Sequence, residues 1–523
     1  MPRFSKWITR FLPMILLGLL LAGYAYGQNN SGSNEVRWSQ PTRLGDGWFS
    51  SIAVDREGGV HISWYGGVPI EDGSGDYDAL FYAYHPLDGE WTAGNDVIFT
   101  GAGGYTVRNA LAAGSDGTLY AVLRNFVYHV FSRAYATDAS DAHAWSAPVQ
   151  LDNNGYYVDM AIDRNEVLHV VYSGYAPDSV FQGNAESGQC AFCFDMLYTR
   201  STNGGTSWSI PVLISDLPDS GSDRVRIWEG ASGRLYASWD EGVDWYVGRG
   251  RYKDVRLRYS DDSGLTWSDP IIMDGGDQPG VRPFQGAFVE MADGRLMAVY
   301  RYSTEQDPRI YYQISDDLGQ TWTPPAPIDG FYGRSFTDSS TTLDRIALEI
   351  DYLGTIHLFA VGQNDPTSPL NVSLYHIEYR QGAWRLPQRV FYDPQRRPEW
   401  PQVRFGTEND IHLTFFTRAI SAEGLRENER YDTVALEVWY MHRTGTLLNR
   451  PTLAFEPTET LRPSPTVFQK LDPTTTPFPT LPEREENFAM VTRDTYAIET
   501  VMGGVLAVGA FCLVIILGLR LRR

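Results

Sequence analysis

Polar turns followed by short alternating apolar runs recur along most of the chain. Typical examples are EGGVHISW (57–64) and ADGRLMAV (292–299), in which apolar and polar positions alternate after a turn. Alternation with a period of two is typical of β-strands that are joined as hairpins. The turn positions of the seven such segments are Gly58, Gly117, Glu166, Gly233, Gly294, Gly354 and Asn409. The pattern predicts an all-β fold and excludes a helical bundle.

Tryptophan marks a second repeat. It recurs about every 58 residues, at Trp38, Trp91, Trp145, Trp208, Trp267, Trp322 and Trp384. A period of this size indicates a propeller, a solenoid or an array of small domains. Each unit has room for four strands, so we predict a β-propeller of four-stranded antiparallel blades, with seven blades preferred and six as the alternative. We expect the N-terminal strand Val36–Leu44 to complete the last sheet, which removes an open edge.

The two ends of the chain differ from this repeating body. A basic start followed by an apolar run predicts a secretory signal peptide over residues 1–27, ahead of an ectodomain over 28–450. Residues 451–496 are rich in Pro and Thr and predict an extended stalk. Residues 497–519 are apolar enough for a transmembrane helix, and the basic tail 520–523 should stay in the cytoplasm. The expected location is the cell membrane, with the propeller outside and one C-terminal span.

Charge and cysteine content narrow the function further. The chain has 43 Lys and Arg against 64 Asp and Glu, a net charge of −21, and so a nucleic-acid partner is excluded. Of its three cysteines, Cys512 lies in the predicted span. Cys190 and Cys193 form a C-x-x-C in an exported segment, where a local disulfide is favoured over a metal or redox site.

Three turns share the pattern Ser-x-Asp/Asn-x-Gly-x-Ser/Thr-Trp. Their defining residues are Ser201, Asn203, Gly205 and Trp208; Ser260, Asp262, Gly264 and Trp267; and Ser315, Asp317, Gly319 and Trp322. An Asx side chain bonds nearby amides, the glycine supplies a positive φ, and the tryptophan packs between sheets. The pattern resembles the Asp-box, or BNR repeat, of sialidases and related propellers. In that family the box is a structural turn on the face opposite the ligand site.

Polar residues recur nine or seven positions before the hairpin turns given above, or seven positions after them. These positions should lie where the inner strands reach one end of the ring. The candidates for substrate binding are Arg108, Arg224, Arg226, Gln285, Arg301 and Arg345. Arginines beside aromatic rings suit a sugar that bears a carboxylate, because a guanidinium binds a carboxylate through two hydrogen bonds. The alternative is that these arginines pair with Asp159, Asp240 and Glu290 and only line the channel.

The resemblance to sialidases implies an arginine trio for the substrate carboxylate, a Tyr–Glu nucleophile pair and an Asp acid/base. Arg301 carries over as one substrate arginine, but Gln285 stands where the family has its Glu, and an early Arg-Ile-Pro is absent. The catalytic residues stay unassigned, with Asp159, Asp240 and Tyr157 as candidates. We therefore predict a glycan-binding or other ligand-binding propeller without full turnover. The alternatives are an exo-acting glycoside hydrolase of sialidase type and a receptor-like scaffold for an extracellular protein.

Metal and histidine chemistry add little. Glu71, Asp72, Asp76 and Asp78 crowd into one insert that offers a calcium site, although a solvated loop is the favoured interpretation. No other cofactor is expected. Four histidines recur in the second strand of the repeat and are expected to pack rather than bind a metal: His61, His169, His357 and His412.

Overall fold

The computed structural model describes residues 37–445, with twelve short gaps. The gaps are 72–75, 101–107, 126–127, 154, 175–193, 218–219, 243–253, 274–281, 303–306, 335–344, 368–371 and 420–435. The predicted signal peptide, stalk, anchor and tail lie outside the described residues, as do Cys190, Cys193 and Asp72. Within the described part, no helix has the length and apolar character needed to cross a membrane.

Strands that follow one another in the sequence pair antiparallel and form four-stranded sheets. The first strand, β1, spans Thr42–Asp46. Strands β2–β5 form one sheet and span Trp48–Val54, Val60–Pro69, Asp76–His85 and Asn95–Phe99. Strands β6–β9 form the next and span Asn109–Ala113, Thr118–Asn125, Tyr128–Tyr135 and Val149–Gln150, with a 3-10 helix at Ala142–Ala144. Strands β10–β13 span Gly155–Ile162, Leu168–Gly174, Asp195–Ser201 and Val212–Leu213. Strands β14–β17 span Ser222–Glu229, Leu235–Glu241, Asp254–Ser260 and Ile271–Met273.

The following nine strands share a single sheet. Strands β18–β21 span Pro283–Glu290, Leu296–Tyr302, Arg309–Ser315 and Ala326–Gly333. Strands β22–β26 span Ala347–Ile350, Ile356–Gln363, Ser373–Arg380, Ala383–Trp384 and Gln388–Phe391. The two groups join because Tyr332 of β21 pairs with Arg309 on one edge and Gln363 on the other. The prediction of seven separate blades is therefore wrong: in the described residues five four-stranded blades are separate, and these nine strands are continuous.

The two ends of the propeller meet in its last sheet, whose strand order is β1-β29-β28-β27. Strands β27–β29 span Arg396–Phe405, Ile411–Ala419 and Leu436–Arg443. Thr42 of β1 pairs with Tyr440 of β29, and the backbone N–H of Ser39 donates to the carbonyl of His442 at 2.8 Å. The expected closure by the N-terminal strand is confirmed, although β1 begins at Thr42 rather than at Val36.

The inner hairpins and the core follow the predicted pattern. The turn residues Gly117 and Gly294 have φ of 82° and 86°, and even Glu166 and Asn409 adopt positive φ there. The apolar positions of the inner strands are buried between neighbouring sheets: Ile52, Leu111, Met160, Ile227, Phe288, Leu348 and Val403. Burying a side chain of this size contributes about 1.5–3 kcal/mol, so the contacts between blades stabilise the ring. The inner strands are thereby held with their polar positions facing the axis.

Candidate functional site

A bulge at the start of the inner strands sets the site's geometry. The pairing register shifts near the beginning of β2, β10, β14, β18 and β27. Four bulky residues at these bulges have positive φ: Phe49, Arg224, Gln285 and Trp400. A bulge redirects a side chain, and a non-glycine residue in this conformation costs about 1–3 kcal/mol. The strain collects at the end of the ring where sequence analysis placed the candidate residues, which we call the upper end.

Asp240 holds two neighbouring blades together at the upper end. Its carboxylate accepts a hydrogen bond from Arg224 Nη1 at 2.6 Å, and both side chains are 2 % exposed. It also accepts the backbone N–H of Gln285 at 2.8 Å and that of Gly286 at 3.1 Å, so both carboxylate oxygens are engaged. The carboxylate therefore stabilises the strained bulge at Gln285 and is not placed to exchange a proton with a substrate.

Arg108 lies inside a box of aromatic rings. Its guanidinium carbon is 3.5 Å from the ring centroid of Phe49, 4.5 Å from that of Tyr157 and 5.1 Å from those of Tyr156 and Trp400. Arg108 and Tyr157 are each only 2 % exposed. Burial raises the pKa of Tyr157, although the charge of Arg108 opposes the shift. The box is a packed cation–π cluster at the upper end of the axis rather than an open sugar site.

The structure adds charged residues that sequence analysis missed. Glu399 is fully buried and accepts two hydrogen bonds from Arg418, at 3.1 and 3.0 Å. Arg334 lies 3.5 Å from the same carboxylate, and its carbonyl accepts Arg301 Nη2 at 2.6 Å. The predicted Arg301 thus belongs to a buried network with Arg334. No repeat register marked these partners, because Arg334 follows an outer strand and Arg418 ends a second strand.

A cavity of about 520 Å³ follows the axis below the aromatic box. Every inner strand contributes to its wall, and its polar lining residues include Asp159, Arg226, Arg345, Glu349, Gln402 and Arg404. A second cavity of about 370 Å³ shares Val54, Ile162 and Glu229 with the first and continues toward the hairpin turns. Volumes of 300–1,000 Å³ are typical of small-ligand sites. The axial cavity is therefore large enough for a sugar residue.

Two ion pairs lie in this cavity. Arg345 Nη2 is 3.3 Å from Asp159 Oδ2, and the same oxygen accepts the backbone N–H of Ile227 at 3.2 Å. Arg404 Nη1 is 3.0 Å from Glu349 Oε1. Partial desolvation inside the channel raises the pKa of Glu349, whose side chain stays partly exposed, and the charge of Arg404 opposes this shift. Arg345, which lies two residues before β22, thus contacts Asp159 on β10 across the channel.

Arg226 differs from the other cavity residues because its charge is poorly compensated. It is 8 % exposed, and within the described residues its Nε and Nη2 have no hydrogen-bond partner. Burial and the nearby positive charge of Arg345 lower the pKa of Arg226 to about 9. A buried guanidinium in this state favours an anion that supplies the missing hydrogen bonds.

The predicted site residues therefore separate into two sets. Arg226, Arg345 and Asp159 line the axial cavity. Arg108, Tyr157, Arg224, Asp240, Gln285 and Arg301 are buried at the upper end within their own contacts. The sequence suggests Glu290 as an ion-pair partner of the arginines. Its carboxylate instead accepts hydrogen bonds from Ser232 N and Oγ at 3.0 and 2.9 Å and so joins two hairpins.

The three Asp-box turns share the predicted local geometry. In each, the serine Oγ donates to the Asx side chain and accepts the glycine N–H, as Ser260 does with Asp262 and Gly264 at 2.8 Å each. Trp267 packs edge-to-face on Tyr198 of the preceding blade, with ring centroids 5.0 Å apart. These boxes are structural turns between sheets, and they lie away from the axial cavity.

The repeated histidines are buried and hydrogen bonded. His61 bridges Asp55 at 2.9 Å and Tyr82 at 2.6 Å, and His169 and His412 each bond a tyrosine at 2.8 Å. At the corresponding position His357 Nδ1 lies 2.8 Å from His376 Nε2 instead. The expectation that these residues pack the repeat is confirmed for the described blades.

One group of described residues has metal-like spacing: His357, His376 and Glu378. The two imidazole nitrogens already face one another as a hydrogen-bonded pair, and Arg443 occupies Glu378 Oε1 at 2.8 Å. In the predicted calcium loop, Asp78 is buried against the hydroxyl of Tyr65, whereas Glu71 and Asp76 are exposed. Among the residues that the structure describes, neither arrangement presents converging free ligands.

Comparison with known proteins supports the fold alone. No protein-family model matches the sequence, and no curated protein matches it. A solved ulvan lyase, which is a polysaccharide lyase, has 12% identity and a TM-score of 0.50 over 75% of this chain and 100% of its own. The NanB sialidase of Streptococcus pneumoniae has 13% identity and a TM-score of 0.42, covering 78% of this chain and 70% of its own. An intramolecular trans-sialidase of Ruminococcus gnavus has 12% identity and a TM-score of 0.40, covering 76% and 96%. The chain therefore shares the β-propeller fold that the lyase has.

Proposed function

We propose that this chain is a cell-surface propeller that binds glycans without turning them over, and that its ligand includes an acidic sugar residue. The single observation that carries the proposal is Arg226. Its guanidinium is buried in a cavity of suitable volume, beside Arg345, with two nitrogens that lack hydrogen-bond partners among the described residues. A carboxylate or sulfate on a sugar supplies both the charge and the acceptors. A protein of the same fold, the ulvan lyase, has been solved bound to -[GlcA(1-4)Rha3S]-.

Binding is favoured over turnover because the candidate catalytic groups are engaged or enclosed. Asp240 is occupied by Arg224 and two backbone amides. Tyr157 is enclosed by the aromatic box with a raised pKa, which opposes its use as a nucleophile. The side-chain amide of Gln285 neither gains nor loses a proton at neutral pH, so it does not serve as a general acid or base. Two of the three candidate catalytic residues, Asp240 and Tyr157, therefore serve the packing of the ring.

The alternative is an exo-acting glycoside hydrolase, and Asp159 is the observation that favours it. This carboxylate lines the cavity, within reach of a bound sugar. A fluorogenic sialoside and a fluorogenic uronide distinguish the two functions. Release of fluorophore by the wild-type chain, abolished in Asp159→Asn, would favour the hydrolase.

The proposal is tested by screening the purified full-length chain against acidic and neutral glycans. We expect retention of glycans that carry carboxylate or sulfate, and weaker retention of their neutral counterparts. Arg226→Gln should reduce binding at least tenfold, since one charged hydrogen-bonding group is worth a factor of this order. The matched control is Arg295→Gln, an exposed arginine that pairs with Asp293 at 2.8 Å on a hairpin turn. Equal binding by both variants and the wild type would contradict the proposal.

The location of the propeller is a separate part of the proposal. The apolar segment 497–519 and the Pro/Thr-rich segment 451–496 support an extracellular propeller on a stalk and a single C-terminal anchor. Protease applied to intact cells should release the propeller by cutting between residues 451 and 496. A chain that stays fully protected, or that appears in the medium without protease, would refute this topology.

A further inference from the structure

Asp159 already occupies part of the place that an acidic ligand needs. Its Oδ2 lies 3.3 Å from Arg345 Nη2, and its charge also acts on Arg226. The two hydrogen bonds that it accepts from described residues, from Arg345 and from the Ile227 N–H, end on this one oxygen at 3.2–3.3 Å. They are longer than the 2.7–2.9 Å that is common for charge-assisted bonds. Asp159 is thus a weakly held counter-anion rather than a tightly locked one.

The contrast with Asp240 shows what a locked carboxylate looks like in the same ring. Asp240 is 2.6 Å from Arg224 and uses both oxygens, and its side chain is 2 % exposed. The side chain of Asp159 is 13 % exposed, and that of Arg345 is 14 % exposed. Water therefore reaches the Asp159–Arg345 pair, so that the two side chains are able to separate without leaving a charge that is both buried and unsolvated.

Access to this pair is from the hairpin side of the ring. Exposure of charged side chains along the cavity rises from Asp159 and Arg345 to 39 % at both Glu349 and Arg404. The second cavity extends in the same direction, toward Asp55, Asp163 and Thr407. On the other side, Phe49, Arg108 and Trp400 are packed and buried. A small anion therefore has a solvated path to Arg226 past Glu349 and Arg404.

We propose that Asp159 is an intramolecular competitor. Its carboxylate occupies the anion-binding position beside Arg226 and Arg345, and an anionic ligand binds by displacing it from Arg345. The inference rests on the proposed function only for the identity of the ligand, because any small oxoanion tests whether the position beside Arg226 and Arg345 binds anions. Displacement leaves Asp159 with the Ile227 N–H and water, while the ligand takes Arg345 and the two nitrogens of Arg226 that have no partner among the described residues. The exchange sets an affinity threshold that neutral sugars and weakly charged anions do not pass.

The test is calorimetric titration of the purified full-length chain with sodium sulfate and, separately, sodium glucuronate at low ionic strength. Asp159→Asn keeps an acceptor for Ile227 N–H but removes the competing charge, so we expect about tenfold tighter binding of both probes. Asp159→Ala, which removes the acceptor as well, should also bind the probes more tightly. This second variant shows that the gain does not come from new hydrogen bonds made by the asparagine amide. Arg226→Gln should abolish binding in every background.

The control is Asp261→Asn, which removes one negative charge on the hairpin side. Asp261 pairs with the side chain of Arg234 at 2.7 Å and is 64 % exposed. This variant should bind the probes like the wild type; an equal gain would attribute the effect to net charge and overturn the inference. Unchanged or weaker binding by both Asp159 variants would also overturn it.

The outcomes separate the two proposals. If sulfate and glucuronate bind more tightly to the Asp159 variants while no glycan is retained by the wild-type chain, the anion-binding position is real and the glycan proposal fails. If acidic glycans bind in an Arg226-dependent way but the Asp159 variants show no gain, the glycan proposal stands and the competitor role fails.

Discussion

Two arginines on one strand show how differently the same residue type is used in this ring. Arg224 and Arg226 are two positions apart on β14, and both are more than nine-tenths buried. Arg224 forms a 2.6 Å ion pair with Asp240, whereas Arg226 faces the axial cavity with two nitrogens unpartnered among the described residues. The first is a structural group and the second has the character of a binding group.

Replacing these arginines should change stability in opposite directions. Arg224→Met leaves Asp240 buried without its counter-ion and should cost about 3–5 kcal/mol. Arg226→Met removes a poorly compensated buried charge and should raise stability by about 1 kcal/mol, or about 1–2 °C in melting temperature. Thermal melts of the two full-length variants check this. A loss of stability in Arg226→Met comparable to that in Arg224→Met would mean that Arg226 is structurally paired.

At the scale of the element, the outer turn of a repeated unit is held by its own side chains. In the Asp-box beginning at Ser260, Asp262 Oδ1 accepts Thr266 N–H at 2.8 Å and Oδ2 accepts Thr266 Oγ at 2.6 Å. Hydrogen bonds from Thr266 and Ser260 lower the pKa of Asp262 despite some burial. Such a unit is held by local bonds and is independent of the axial chemistry.

Asp262→Ala should therefore lower the melting temperature by about 1–3 °C while anion and glycan binding stay unchanged. The neighbouring Asp261→Ala is the matched control, because its exposed pair with Arg234 is worth little. Calorimetric melting and the sulfate titration together measure both properties. Loss of binding in Asp262→Ala would contradict the separation of turn from site.

The buried His412 should make the ring sensitive to acid. Burial lowers the pKa of His412 to about 4 from an ordinary value of 6.5. Above pH 6.5 the residue is neutral in both folded and unfolded chains; as the pH falls toward 4, only the unfolded chain takes the proton, so stability is lost over that window. The loss reaches up to about 3 kcal/mol for this one residue.

His412→Gln should flatten the pH dependence of unfolding between pH 6.5 and pH 4. The control is His143→Gln, since the His143 side chain is 96 % exposed. Chemical denaturation at half-unit pH steps gives the slopes. A slope in His412→Gln as steep as that of the wild type would assign the acid sensitivity to other groups.

At the scale of the whole molecule, closure joins residues from opposite ends of the described chain. β1 pairs with β29 through Thr42–Tyr440, Arg43–Trp439, Gly45–Val438 and Asp46–Glu437. Trp38 adds an isolated bridge to Arg443 and packs edge-to-face on Phe359 at 5.7 Å. The closing strand thereby covers an edge of β29 and touches the neighbouring sheet.

Deleting residues 28–46 should lower the melting temperature by several degrees, because the last sheet loses one strand and its edge becomes open. Deleting only residues 28–36 leaves β1 and the Trp38 bridge and should have little effect. Differential scanning calorimetry compares the melting temperatures of the two deletion variants, each otherwise intact. An unchanged transition in the longer deletion would contradict a stabilising closure.

The sequence by itself determined the repeating architecture. Alternation, turn glycines and the spaced tryptophans are local signals, and each predicts a strand or turn from a few neighbouring residues. For this reason the antiparallel hairpins and the packing of the repeated histidines were correctly predicted, and so was the closure by an N-terminal strand, although this strand begins at Thr42. The count of separate blades was not, because the pairing of Tyr332 with both Arg309 and Gln363 joins strands far apart in sequence.

Only the tertiary structure decided which polar residues form a site. Arg108, Arg224, Arg226, Arg301 and Arg345 look alike in the sequence, since each falls at a repeated position near an inner strand's upper end or after its hairpin. Their contacts come from other strands: aromatic rings enclose Arg108, Asp240 on the next strand of the same blade neutralises Arg224, and Arg345 reaches Asp159 in another blade. Charge compensation depends on distances of a few ångströms between segments that lie 16 to 186 residues apart. No local pattern encodes those distances, and so the poorly compensated charge of Arg226 is recognised only in the folded ring.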